Sequence, residues 1–335
     1  MATPTTRSSS PTQALVRYEG LGLDRARGWV EMPRDERRRR AMAAAQTQDV
    51  PALLSLAESW LLLYGRRKKQ TSPLTVSAYR QGIMALVEAW RGTDLLKADS
   101  DAASLWLESL TGRDGKKDAA ASTRVRYRAA GRALYSALRW ANATSANPFA
   151  DANIAPDSTP AHEKRAPYTP ADVARLVAVA TGDDLALALL GAHAGLRVAE
   201  GLALRYQDID IAASTLTVTA GKGGKRRTVT MSPSLARALD DLGDTGERVV
   251  GERSGYVLPY GSAVSARRRL ALLCARAGVT YRGIHALRHS AGTRLYSQTG
   301  RLEDAQRHLG HASISTTQVY AHWSDERVKT ALTSW

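Results

Sequence analysis

From Pro51 onward the apolar residues recur at helical spacing. Leu53, Leu54, Leu56, Ala57, Trp60, Leu61 and Tyr64 form one broad face that ends at Arg66-Arg67-Lys68-Lys69. Ser72-Pro73 opens a second helix with Tyr79, Ile83, Leu86, Val87 and Trp90 inward, because proline suits the first helical turn. A short helix is predicted near 102–110, then a basic turn over 112–117. The helix predicted over 123–142 has two unlike sides. Tyr127, Ala130, Leu134, Ala137, Leu138 and Ala141 make an apolar stripe, while Arg124, Arg128, Arg132, Tyr135 and Arg139 run down the other side. Residues 147–167 lose all periodicity and carry Pro148, Pro156, Pro160 and Pro167, which reads as a linker. Thr169-Pro170-Ala171-Asp172 then caps a new helix, and 185–194 is an almost wholly apolar one that should be core. Gly195-Leu196 breaks it. The period changes to two over 208–220 and again over 227–231, with Gly221-Lys222-Gly223-Gly224 between, so a small hairpin with a cationic tip is expected. Helical patterning returns at Arg267-Arg268-Arg269, and Val328 to Leu332 reads as a short amphipathic tail.

These patterns predict a mainly α chain with a small β-sheet (α+β). Its expected parts are a flexible basic extension over 1–45, a helical domain over 46–150, a linker over 151–167 and a second domain over 168–335. The length of 335 residues suits two such cores. The run Arg34-Asp35-Glu36-Arg37-Arg38-Arg39-Arg40 fits either a solvated helix end or an arm touching phosphates.

A net charge of +15 favours a polyanionic partner, most simply nucleic acid. The acid-poor arginine side of the 123–142 helix adds to this, since spaced guanidiniums suit a phosphate track. Cys274 is the single cysteine, which excludes an internal disulfide framework and a Cys-based zinc finger. No apolar run is long enough to span a bilayer and the N-terminus lacks a secretory pattern, so an intracellular, soluble protein is expected, cytoplasmic and, with a nucleic-acid partner, nucleoid-associated.

The candidate chemistry lies between His285 and Tyr320. His285 and Arg288 stand one helical turn apart, and His308 and His311 repeat that spacing. Arginine is a permanent cation whose planar donors fit phosphate oxygens, and histidine moves protons near neutral pH. A tyrosine hydroxyl attacks well only when its anion is stabilised. Together they suggest phosphoryl transfer through a covalent phosphotyrosine. A zinc site is disfavoured, because the interleaved arginines repel a cation and no His-Glu-x-x-His run is present. Arg197 at the 195–196 break has Glu200 three residues on, which fits a structural ion pair or a phosphate-binding arginine braced by its neighbour.

The segment closely resembles box II of the tyrosine recombinase (phage integrase) family: His285-x-x-Arg288, then Leu309-Gly310-His311, then Tyr320 nine residues later. Gly195 to Glu200 resembles the family's box I, and the 221–225 glycine–lysine run its hairpin lysine. The resemblance is strong over about 168–330 and loose over 50–150. It implies a C-shaped clamp of two domains around double-stranded DNA, with Tyr320 as nucleophile. Arg197, Arg288 and His311 would then bind the phosphate, and Lys222, or in another register Lys225, would be general acid. His285 would serve as acid/base or help to place Tyr320. It also implies no cofactor or metal, a monomer or weak oligomer in solution, a tetramer on synapsed DNA, and a possible partner recombinase. The tail is expected to dock on a neighbouring subunit. Thr75, Arg80, Arg124, Arg128, Arg132, Arg139, Lys225 and Arg267 are the candidate DNA contacts. The compact chain leans towards a Xer-like recombinase over mobile-element integration. Type IB topoisomerase-like relaxation and a catalytically silent DNA-binding regulator are the alternatives.

Overall fold

The computed structural model describes residues 24, 26–66, 71–112, 115, 117–157, 166–219, 226–243 and 255–310. Lys222 and Lys225, expected at a hairpin tip, lie outside the described residues, as do His311, Tyr320 and the tail expected to be amphipathic. The chain divides into two units, 1–158 and 159–335.

The first unit is helical. Its helices are α1 (Arg34–Gln46), α2 (Val50–Tyr64), α3 (Pro73–Ala89), α4 (Ser100–Ser109) and α5 (Ala121–Trp140). Side-chain caps start α2, α3 and α4: Asp49, Ser72 and Asp99 accept from the backbone N–H of Ala52, Thr75 and Ala102. These caps satisfy donors that a helix start would otherwise leave unpaired. The core joins Leu53, Leu56, Ile83, Leu86 and Leu134 to an aromatic cluster in which Trp90 stacks on Phe149, with ring centroids 5.9 Å apart.

Three features depart from the expected layout. The flexible extension does not run to residue 45, because Trp29, Ala41, Ala44 and Ala45 are buried in this core. The Trp29 indole N–H donates to Ser55, and Arg37 and Arg40 lie over the rings of Trp140 and Trp29. Tyr135, expected among the arginines of α5, is fully buried with its hydroxyl donating to the Leu95 carbonyl. Phe149 and Ala152, placed by pattern at the start of the linker, are core residues.

The second unit contains α6 (Pro170–Val179), α7 (Gly182–Ala192) and α8 (Val198–Ala203). The strands β1 (Ile209–Asp210), β2 (Thr215–Val218) and β3 (Arg227–Thr230) follow, and then α9 (Pro233–Gly243), α10 (Ala263–Arg276), α11 (Ile284–Thr299) and α12 (Leu302–Leu309). The strands form an antiparallel sheet in the order β1-β2-β3, with Leu216 opposite Val229. Leu216, Val218 and Val229 share the inward face and join Leu187, Leu189 and Leu190 of α7 in the core. A reciprocal cap between Thr169 and Asp172 starts α6. Asp184, buried on α7, accepts from Arg269 and Arg276 of α10 and from Tyr260, which pins α10 to α7. No helix among the described residues is long and apolar enough to cross a membrane.

Candidate active site

The site is assembled where α7 ends. His193 caps α7, and the chain turns through Gly195 in a left-handed conformation (φ 65°) before α8 begins. A Cβ at Gly195 would lie 2.3 Å from Leu309 Cδ2, so only glycine lets this turn close on the end of α12. Arg288, from α11, spans the junction. Its guanidinium donates to the Gly195 carbonyl and, at 2.7 Å, to the Leu309 carbonyl. It is 1% exposed. A charge so deeply placed needs this dense pairing, because an unpaired buried cation is very costly.

Glu200 is the other centre of the corner. Its carboxylate accepts from the Arg197 backbone N–H at 2.9 Å and from Arg197 Nη1 at 2.7 Å. Arg227 of β3 donates to both oxygens at 3.0 and 2.9 Å, and Arg288 Nη1 stands 3.8 Å away. Burial alone would raise the Glu200 carboxyl. The Arg227 and Arg197 hydrogen bonds outweigh it and lower the pKa to about 2, so the group stays ionised. Of the two readings of Arg197 from sequence, the structure contains the ion pair with Glu200, in which Arg197 is the more exposed partner, with 31% of its side chain accessible.

His285 is exposed near the start of α11, its ring edge-on to His289 at 4.9 Å. His308 Nε2 donates to the His193 carbonyl, and burial lowers its pKa, which suits a neutral ring held in one tautomer. His193 Nδ1 lies 2.7 Å from the Ser232 hydroxyl and is likewise lowered by burial. Thus Arg197 and Arg288 come together around Glu200, and His285 shares α11 with Arg288. Arg227 was missed by the sequence reading. The available signal was strand alternation, which puts it on the inward face with Val229.

The arginine side of α5 is more fully paired than the acid-poor face expected. Arg124 pairs with Glu108 at 2.9 Å and approaches Asp118 at 3.8 Å. Arg128 donates to the Ala152 carbonyl, and Arg132 to those of Phe149 and Ala150, so both tie the 149–152 segment to the helix. Arg139 reaches Ser136 at 3.4 Å. Arg80 pairs with the buried Glu58, Thr75 shares a hydroxyl contact with Ser72, and Arg267 is exposed on α10.

Comparison with known proteins supplies the family. Residues 168–327 match the model described as the phage integrase family, and 61–142 match the phage integrase N-terminal SAM-like domain. Tyrosine recombinase XerC of Xanthomonas campestris pv. campestris (strain B100) is 31% identical over 293 residues, covering 81% of this chain and 85% of its own. The XerC of Xanthomonas axonopodis pv. citri is 33% identical over 287 residues, covering 78% and 90%. The solved structure of the XerH site-specific recombinase in its post-cleavage complex with palindromic difH substrate is similar with a TM-score of 0.65 at 19% identity, covering 100% of this chain and 99% of that one. A lambda integrase dimer bound to a COC′ core site gives 0.61 at 17% identity, covering 82% and 77%. At those identities the structures speak for the fold, while the sequence matches speak for descent. The chain belongs to the phage integrase family and is a tyrosine recombinase, an enzyme that breaks and rejoins DNA.

Proposed function

We propose that this chain is a Xer-like site-specific recombinase in which Tyr320 is the nucleophile. The Tyr320 oxygen attacks a backbone phosphorus, the bond to the 5′-oxygen breaks, and a 3′-phosphotyrosyl link and a free 5′-hydroxyl result. Attack by the 5′-hydroxyl of the partner strand reverses these steps and rejoins the DNA. Arg197 and Arg288 stabilise the charge on the nonbridging oxygens, and His311 hydrogen-bonds the same phosphate. His285 acts as acid/base near Tyr320 or helps to place it. The bond energy is kept in the phosphotyrosine, so no nucleotide cofactor and no metal is required. The observation that carries this reading is the convergence of Arg197 and Arg288, distant in sequence, on the single carboxylate of Glu200.

Double-stranded DNA is the partner, consistent with the net charge of +15. The helical unit, with Arg267 and Lys225 from the second, would supply the DNA contacts. Arg124, Arg128 and Arg132 would add charge beside the backbone while holding their own domain together. Assembly as a tetramer on two synapsed sites, with the tail docked on a neighbour, completes the proposal, and the enzyme would act at the nucleoid. The test uses the full-length chain with fragmented host genomic DNA in EDTA. Covalent adducts should appear on a denaturing gel at discrete positions, each leaving a free 5′-hydroxyl. Adducts that form only with added divalent ion, or none at all, would overturn the reading.

Lys222 is proposed as the acid that protonates the leaving 5′-oxygen, a contribution of roughly 10²–10⁴-fold. Lys222→Ala should cleave slowly on ordinary DNA. It should recover most of its rate when the bridging 5′-oxygen is sulfur, because a thiolate departs without a proton. Arg197→Ala should show no such recovery. Rescue of Lys225→Ala in place of Lys222→Ala would move the acid to Lys225.

A further inference from the structure

Arg227 holds a position that the catalytic scheme has not used. It is the first residue of β3, only two residues beyond Lys225 in sequence. Its two terminal nitrogens grip both oxygens of Glu200, and 15% of its side chain is exposed. The same side chain also lies against Gly310, the middle residue of Leu309-Gly310-His311. Gly310 is left-handed (φ 66°), and a Cβ there would stand 2.7 Å from Arg227 Cδ and 2.9 Å from its Nε. Arg227 therefore touches the box I corner and the turn that ends at Gly310, and it opens the strand that follows the lysines in sequence.

We infer that Arg227 is a positioning residue. By clamping Glu200 and filling the space over Gly310, it fixes Arg197, the hairpin and the His311 turn relative to one another. The inference rests on the proposed roles of Arg197, Lys222 and His311. Three segments far apart in sequence must meet around one phosphate, and a misplacement of about 1 Å can cost about 10²-fold in rate. A bidentate guanidinium sets both distance and angle to a carboxylate, which an ammonium does not. The left-handed turn alone already favours glycine at 310. The crowding by Arg227 adds a second reason, which predicts that the two positions are coupled.

The experiment compares Arg227→Ala, Arg227→Lys, Gly310→Ala and the double variant Arg227→Ala/Gly310→Ala in the full-length chain. Each is measured for thermal unfolding, for duplex binding by gel shift, and for single-turnover cleavage of a nicked duplex carrying a mapped site. Arg227→Ala should bind DNA normally and cleave about 10²-fold more slowly. Arg227→Lys should not restore the rate. A 5′-bridging sulfur should recover only part of it, because the lysine is one of three groups displaced. Gly310→Ala should slow cleavage strongly in the wild-type background and cost less in Arg227→Ala, where the strain of the left-handed turn remains but the crowding is gone. Wild-type cleavage by folded Arg227→Ala, full recovery by sulfur, or strict additivity with Gly310→Ala would overturn the inference. Absence of any adduct with the wild-type chain would instead defeat the proposed function. In that event the coupling of the two positions in thermal unfolding still decides whether the clamp exists.

Discussion

Tyr320→Phe should retain duplex binding and form no covalent adduct, a loss of roughly 10⁴-fold or more, the scale seen when a covalent mechanism loses its nucleophile. The substitution removes one oxygen and leaves the charges that attract DNA untouched. Its force as a test depends on the other tyrosines being poor substitutes. The Tyr206 hydroxyl donates to the Leu242 carbonyl, and burial raises its pKa. Tyr260 is committed to Asp184 and pushed up to about 12, first by burial and then by that carboxylate. Tyr135 and Tyr168 are buried and raised further still. Tyr281, though exposed, is raised as well, chiefly by burial of its hydroxyl surroundings. Each is a worse nucleophile at neutral pH than one whose anion is stabilised. A nicked-duplex assay on a denaturing gel decides the matter, and a persistent adduct in Tyr320→Phe would place the nucleophile elsewhere.

Glu200→Gln should destabilise the second unit by about 3–5 kcal/mol at neutral pH, because it leaves buried guanidiniums without their counter-charge. The pH dependence carries the sign. The Glu200 carboxyl is depressed from an ordinary value of 4.5 to about 2 in the folded chain, so it contributes stability above 4.5. That contribution, about 3 kcal/mol, is lost as pH falls from 4.5 towards 2. The gap in thermal midpoint between wild type and Glu200→Gln should therefore be widest near neutrality and shrink across that window. Calorimetry of both full-length proteins from pH 7 to pH 3 measures it. A gap that stays constant would mean that Glu200 is not held ionised by its arginines. Cleavage by Glu200→Gln should also fall, as Arg197 loses the partner that orients it.

The helices and the sheet were legible because their signals are local. Caps at Ser72 and Thr169, the apolar stripe of α5 and the change of period at the strands each act within a few residues. What escaped was tertiary. Helix α1 packs through Ala41, Ala44 and Ala45, small side chains that leave little periodic signal beside a run of arginines. Tyr135 fits the three-to-four spacing of the arginines, yet it is long enough to turn its ring into the core and end its hydroxyl on a carbonyl. Spacing also showed that Arg124, Arg128 and Arg132 share a side of α5. It gave no sign that Glu108 and the carbonyls of 149–152 would come to meet them. At the site, residue types in order singled out Arg197 and Arg288, and the fold brings both to the Glu200 corner. The contact of Arg227 with Gly310 joins segments that only the fold brings together.

Three guanidiniums facing one carboxylate leave the corner around Glu200 with two positive charges in excess (three minus one). On the proposed roles of Arg197 and Arg288, such a corner would host an anion, and that anion would act as a ligand of the folded state alone. Self-repulsion among the arginines is then relieved most when a phosphate is bound. The enzyme and its substrate would thus share one thermodynamic unit: the DNA that is cut also completes the structure that cuts it.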